Sequence, residues 1–395
     1  MKFGVLYEIQ RPMLDDHAAI EETIEQCILA DEMGWDYVWF VEHHFLTGFS
    51  MSPCPEVILG ALSRVTKRIR LGFGVVILPY HHPVRTAERV AMVDQLSKGR
   101  VDFGTGRSAP YEQTGMGIDP RDTREMWSES LEMIPKIWDS KMFEYEGKFW
   151  KVPAREVLPK PYQDPHPPMW VAALQPATYE LAAEKGIGVL ALSFTAPELL
   201  EPHIKAYREN VKEAHPVGKF VNDQWLSLSQ ACCDEDDAMA KEKAALSLKT
   251  FIGPDKPYLQ GQTNVYANLL EQWGGIPDHL KEDFARSGAR NASFGGVLDT
   301  FQLENPQDLD NSGGGVLAEW AWKEIGGATL AERGVVIGGN PESCIKAARL
   351  YEATGIDQLG VQVATEVLDH NAAMKTIEMF GKYVIPEFKK AESKV

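Results

Sequence analysis

The sequence predicts an α/β fold, a (β/α)8 TIM barrel with a long insertion between strands 7 and 8, on three observations. Eight short apolar or β-branched runs each lead into a segment of helical period. No Gly-x-Gly-x-x-Gly turn follows the first strand, so an open dinucleotide-binding sheet is not indicated. Two successive strands end in paired histidines, His43-His44 and His81-His82, on the side where ligands of α/β sheets and barrels bind. Length alone would allow two or three domains, but barrels with insertions reach 395 residues as one, so 1–395 is read as a single domain.

Lys2 to Tyr7 is the first strand. Ile20, Ile24, Cys27 and Ile28 at helical spacing then mark a helix from Asp16 to Met33, which Gly34 stops. The second strand, about 36–42, leads to a helix near 54–66, and the third, 69–78, to one near 84–97. Arg100 to Gly106 is the fourth, followed by a long loop and a helix near 122–138. Strands over 168–173, 187–192 and 225–230 come next, each with its helix, and 358–363 is the eighth. Gly72-Phe73-Gly74 lies inside the third strand, where glycine marks unusual backbone geometry or a close approach to a ligand.

Two segments break this rhythm. Residues 143–168, rich in proline and aromatics, read as a rigid extended excursion. Residues 251–333, rich in glycine and amides, carry helical pieces near 263–273 and 277–286 and a Gly-rich tip at 311–315. They start from the ligand side, which suits a lid or binding loops; a dimerisation arm or surface decoration is an equal alternative.

A net charge of −17 and a pI near 5.1 argue against nucleic-acid or anionic-membrane partners, which need a basic face. The five cysteines show no Cys-x-x-Cys spacing, so neither a zinc site nor a disulfide framework is expected. With no charged-then-apolar leader and no membrane-length apolar run, the expectation is a cytoplasmic protein.

Imidazoles at the end of an apolar strand need hydrogen-bond partners once removed from water, so His43 and His44 point to a polar site. His43 is the candidate for proton transfer, since its unperturbed pKa lies near neutrality; a core histidine bonded to a carbonyl is the plainer alternative. His44 is expected in the substrate pocket as well, although a structural role, positioning Glu42 or the barrel wall, is a stronger alternative for it than for His43. His82, restricted by the following proline, is expected to line the pocket, as are Tyr80 and Tyr111 beside Trp39, Phe40, Phe45 and Phe73.

Glu42-His43-His44-Phe45, Leu78-Pro79 followed by His82-Pro83-Val84-Arg85, and the run Asp94 to Arg100 leading into Phe103-Gly104 resemble the bacterial luciferase-like flavin-dependent monooxygenases in order and spacing. The resemblance continues through Arg124, the Val171-Ala172-Ala173 strand with Thr178 beyond it, and Gly338 to Cys344, leaving out only 251–333. It implies reduced FMN, supplied by a separate flavin reductase. That flavin reacts with O2 through a C4a-peroxyflavin to oxidise an apolar organic substrate such as an aldehyde or ketone. It places His43 by the flavin, Arg107 and Arg124 on it, and a cis peptide at Gly74-Val75 beneath its ring. Gln175 and Thr178, opening the helix after the fifth strand, offer further grip on the phosphate, although Thr178 alone also suits helix capping. Members of the family commonly pair, so a homodimer is expected.

One departure matters. Gly106 stands where the light-emitting subunit of luciferase has a reactive cysteine, which speaks against light emission and leaves monooxygenation open. Other readings are a deazaflavin-dependent hydride-transfer enzyme and a non-catalytic flavin-binding partner subunit. A metal hydrolase is least supported, because its alternating histidines and last-strand aspartate are missing.

Overall fold

A computed structural model of the chain describes residues 1–10, 15–46, 49–174, 176–191, 195–252 and 326–392. In chain order its strands are β1 (Lys2–Tyr7), β2 (Tyr37–Phe40), β3 (Arg70–Ile77), β4 (Val101–Gly106), β5 (Phe143–Glu146), β6 (Lys151–Arg155), β7 (Met169–Ala173), β8 (Gly188–Ala191), β9 (Trp225–Cys233), β10 (Val336–Gly339) and β11 (Gln358–Gln362). The helices that position the site are α1 (Asp16–Glu32), α2 (Pro55–Val65), α3 (Pro83–Ser97), α4 (Pro110–Gly115) and α5 (Thr123–Asp139). They are followed by α6 (Pro176–Lys185), α7 (Glu201–Asn210), α8 (Asp237–Ile252) and α9 (Gly327–Glu332). Beyond these lie α10 (Pro341–Ala353), α11 (His370–Met379) and α12 (Ile385–Glu392).

The eight expected strands form the closed parallel barrel. β1 lies between β11 and β2, the order continues through β3, β4, β7 and β8, and pairing of Val189 with Trp225 closes β8 on β9. Alternation along each strand sorts the side chains. Phe3, Val5, Tyr7, Phe40, Phe73 and Phe103 face the helices, whereas Leu6, Trp39, Trp170, Leu190, Leu226 and Leu228 fill the barrel.

Two tryptophans dominate that interior. Trp39 and Trp170 meet edge to face at 5.5 Å and 80°. Neighbouring strands give way to them: a Cβ at Gly72 would lie 2.1 Å from Trp39 Cε3, and one at Gly188 would lie 2.4 Å from Trp170 Cε3. Gly72 is therefore a packing glycine. Gly74 is a geometric one, because the Gly74-Val75 peptide is cis and the pairing with β4 shifts register between Phe73 and Val76.

The chain departs from the sequence reading at three places. The excursion opens with an antiparallel hairpin, β5 paired with β6, in which Tyr145 faces Val152. A ninth strand, β10, joins the sheet: β9 pairs β8 through Trp225 to Ser227 and β10 through Gln230 to Cys233. The expected insertion is framed by helix, since Phe251 still belongs to α8 and α9 packs back on it, with Gly327 N donating to Glu242 Oε1 at 2.8 Å. The helical pieces and tip expected between these ends lie outside the described residues. Among the described residues no helix is long and apolar enough to cross a membrane.

Candidate active site at the carboxyl end of the barrel

β1 and β2 each run into a buried glutamate, Glu8 and Glu42, and the polypeptide then turns across the barrel mouth. His43 is fixed there by its backbone, which donates to Ser52 O at 3.0 Å, and by its ring. Nδ1 lies 3.1 Å from both carboxylate oxygens of Glu112 on α4, and Nε2 lies 3.7 Å from Glu8 Oε2. The ring keeps an open edge, 26% exposed, whereas the Glu8 and Glu112 side chains are 7% and 1% exposed. Burial disfavours a charge on His43, but Glu8, then hydrogen-bonded Glu112 and then Glu42 outweigh it and push the pKa up to about 9. The shift favours the protonated ring, an imidazolium, at neutral pH.

Glu112 is the most heavily bonded carboxylate of the group. Besides His43 it accepts from His44 N at 2.6 Å and from Ser108 Oγ, whose residue holds a φ of +62° just past β4. Burial opposes its ionisation, but these donors hold it below the usual carboxylate range. Glu8 is shifted the other way: burial raises its pKa against the pull of His43, and its Oε2 has no hydrogen-bond partner.

A second cluster stands beside the first. Glu42 accepts from Ile77 N at 2.8 Å and faces two rings, His81 Nε2 at 2.6 Å and His44 Nε2 at 3.1 Å. His44 also meets the Tyr80 ring at 5.6 Å. His82 stands apart from this cluster. Its Nδ1 accepts from Val84 N at 3.2 Å, capping α3, and its ring packs on Trp150 at 5.0 Å. The proline that follows turns His82 into a helix cap, so His81 is the second doublet's contribution to the cluster. Phe40 and Phe73 are likewise removed from the expected pocket wall, because strand alternation points them at the helices.

Beyond β4 the chain presents two cations. Arg107 follows the strand next to Ser108, and Arg124 lies in the first turn of α5. Both are exposed, and neither has a carboxylate partner among the described residues. Desolvation of its guanidinium and then the charge of Arg124 lower the pKa of Arg107, so the two cations lie within reach of each other's field. Thr178 lies in the first turn of α6. Gln175, the Tyr111 side chain and the loop after β8 lie outside the described residues. Gly106 abuts the cis peptide: a Cβ there would lie 2.6 Å from Val75 Cγ2, so the thiol-bearing alternative has no room without movement of Val75.

The structure thus gathers His43, His44, Tyr80, Gly74 and Val75 at one end of the barrel, and it adds Glu8, Glu112, Ser108 and His81. Glu8 carried a usable signal, since it ends β1 as Glu42 ends β2. Glu112 carried none, being a lone acid on a six-residue helix. No cluster of three or more potential metal ligands occurs among the described residues.

The chain has known relatives. The sequence profile of the luciferase-like monooxygenases matches residues 1–358. The 4-hydroxyprotoasukamycin monooxygenase of Streptomyces nodosus subsp. asukaensis is 33% identical over 401 aligned positions, covering 98% of this chain and 92% of that one. The oxygenase component of the flavin-dependent trigonelline monooxygenase of Acinetobacter baylyi is 37% identical over 194 residues; the match spans 48% of this chain and only about half, 53%, of that protein. Among solved structures, the oxygenating constituent of 3,6-diketocamphane monooxygenase from Pseudomonas putida, in complex with FMN, superposes with a TM-score of 0.72. It is 21% identical and covers 98% of each chain, a likeness of fold.

Proposed function

The chain belongs to the luciferase-like monooxygenase family, and from that premise we propose that it is the oxygenase of a two-component system. It would take reduced FMN from a separate flavin reductase, bind it at the carboxyl end of the barrel, and place one atom of O2 on an apolar organic substrate such as an aldehyde or ketone. The other oxygen atom leaves as water. The observation that carries this reading is the pair of guanidiniums, Arg107 and Arg124, within reach of each other's charge and without a carboxylate partner among the described residues, in a chain of net charge −17. Like charges brought together without a counter-ion fit a dianionic phosphate, and Thr178 at the start of α6 fits the same group.

Reduced flavin would supply the two electrons that activate dioxygen. The protein's residues would do the rest. Val75 and Gly106 shape a close-fitting floor, and Phe49, which lies 6.1 Å from the His43 ring and 4.9 Å from Phe251, helps to keep water from the imidazolium. His43 can hand its Nε2 proton to an oxygen atom in the pocket and recover it afterwards, while Glu112 holds Nδ1 and fixes the ring.

The test is binding before turnover. Replacement of both arginines by alanine is expected to weaken reduced FMN by at least about tenfold, since a charged hydrogen bond contributes about 1.5–3 kcal/mol, and to leave phosphate-free riboflavin unaffected. Rapid mixing of the FMN-loaded protein with oxygenated buffer, with aldehydes and ketones as trial substrates, then reads oxygen incorporation. Equal loss of both flavins, or reoxidation at the rate of free flavin, would overturn the proposal, and deazaflavin would be titrated next.

A further inference from the structure

Around His43 the donors and acceptors do not balance, and the imbalance lies on one side. The groups that face the ring are Glu8 beyond β1, Glu42 and His44 beyond β2, Glu112 on α4 with Ser108 beside it, and the ring of Phe49. Glu42 is engaged by His44, His81 and Ile77 N, and Glu112 by His43, His44 N and Ser108. Glu8 Oε2 is the exception: buried, without a donor, and 3.7 Å from His43 Nε2. We propose that Glu8 is a positioning residue that clamps His43 from the side opposite Glu112, keeping a proton on Nε2, the nitrogen that Glu112 does not bond.

The geometry gives each carboxyl group a different task. Glu112, within hydrogen-bond distance of Nδ1, sets the orientation of the ring. At 3.7 Å Glu8 is beyond a good hydrogen bond but well inside the range over which an opposite charge shifts a pKa by about 1–3 units. It therefore acts through its field and leaves Nε2 free to bond an incoming oxygen atom. When Nε2 gives up its proton, a neutral imidazole remains with its other proton on Nδ1, held by Glu112. The proton that returns to Nε2 does so opposite the Glu8 carboxyl group.

This inference concerns the same pocket as the proposed oxygenase, but its test needs neither flavin nor turnover. With histidine labelled by 15N, the His43 ring can be titrated by NMR in the full-length protein and in E8Q, E8A, E8D and E112Q. In E8Q the midpoint is expected to fall by at least about one unit, with Nδ1 still hydrogen-bonded. E8D, one methylene shorter but charged, is expected to fall between E8Q and the parent. E112Q is expected to alter the Nδ1 signal itself. A His43 midpoint in E8Q that matches the parent, or one in E8A that does so if E8Q does not fold, would overturn the proposal. If the midpoint shifts while reduced flavin fails to bind, the assignment of Glu8 stands and the oxygenase reading falls.

Discussion

A histidine held between two carboxyl groups ties the site to pH. The folded-state pKa of His43, raised to about 9, exceeds its ordinary value of 6.5, so the folded protein binds the proton more tightly than the unfolded chain does. The resulting stability is complete below about 6.5 and is lost as pH rises through about 9. His43→Gln is therefore expected to cost about 1–3 kcal/mol near pH 6, with the difference shrinking as pH passes 9. Denaturant melts of the two proteins across that range decide it, and a constant difference would mean that His43 is held neutral. The sequence made His43 visible because an imidazole doublet after an apolar strand is costly unless partnered. It hid the partner on Nδ1, because Glu112 lies 69 residues away on a helix with no pattern of its own. It also could not separate His81 from His82, whose different fates follow from one proline starting α3.

At the scale of elements, the barrel wall is built from contrasts of size between adjacent strands. Gly72→Ala would drive a methyl group into the Trp39 ring, and overpacking of this kind costs about 1–3 kcal/mol or more. Gly60, inside α2 with open space around it, provides the control: Gly60→Ala is expected to gain about 0.5–1 kcal/mol through helix propensity. Urea unfolding of both variants measures the contrast, and a neutral Gly72→Ala would show that Trp39 can repack. The eight barrel strands were legible because each combines an apolar run with a helical segment behind it. The hairpin was not, since its alternation of Phe143, Tyr145 and Val152 is short and lies next to a proline-rich run. β10 was missed because four residues ending in two glycines pair with only the far end of β9.

On the whole molecule, α2 and α3 leave Val57, Val65, Met92 and Leu96 exposed at 68, 49, 50 and 39%. Exposed apolar side chains of this kind are where a second copy would pack, and a homodimer is the prediction. Light scattering should give about twice the 44.1 kDa chain mass, and a Val57→Glu, Met92→Glu double variant should give the single-chain mass. A parent that already runs as a single chain would overturn this prediction.

The way the chain enters and leaves the region between β9 and β10 has an engineering consequence. α8 and α9 are stapled together through Glu242 and Gly327, and a Cβ at Gly327 would lie 2.5 Å from Lys241 O, so the two anchors seat against each other outside the ring of eight strands. Helix ends that meet in this way make Ile252 and Gly326 the junctions at which the intervening segment would be exchanged with a relative's, and folding of the chimera is the readout.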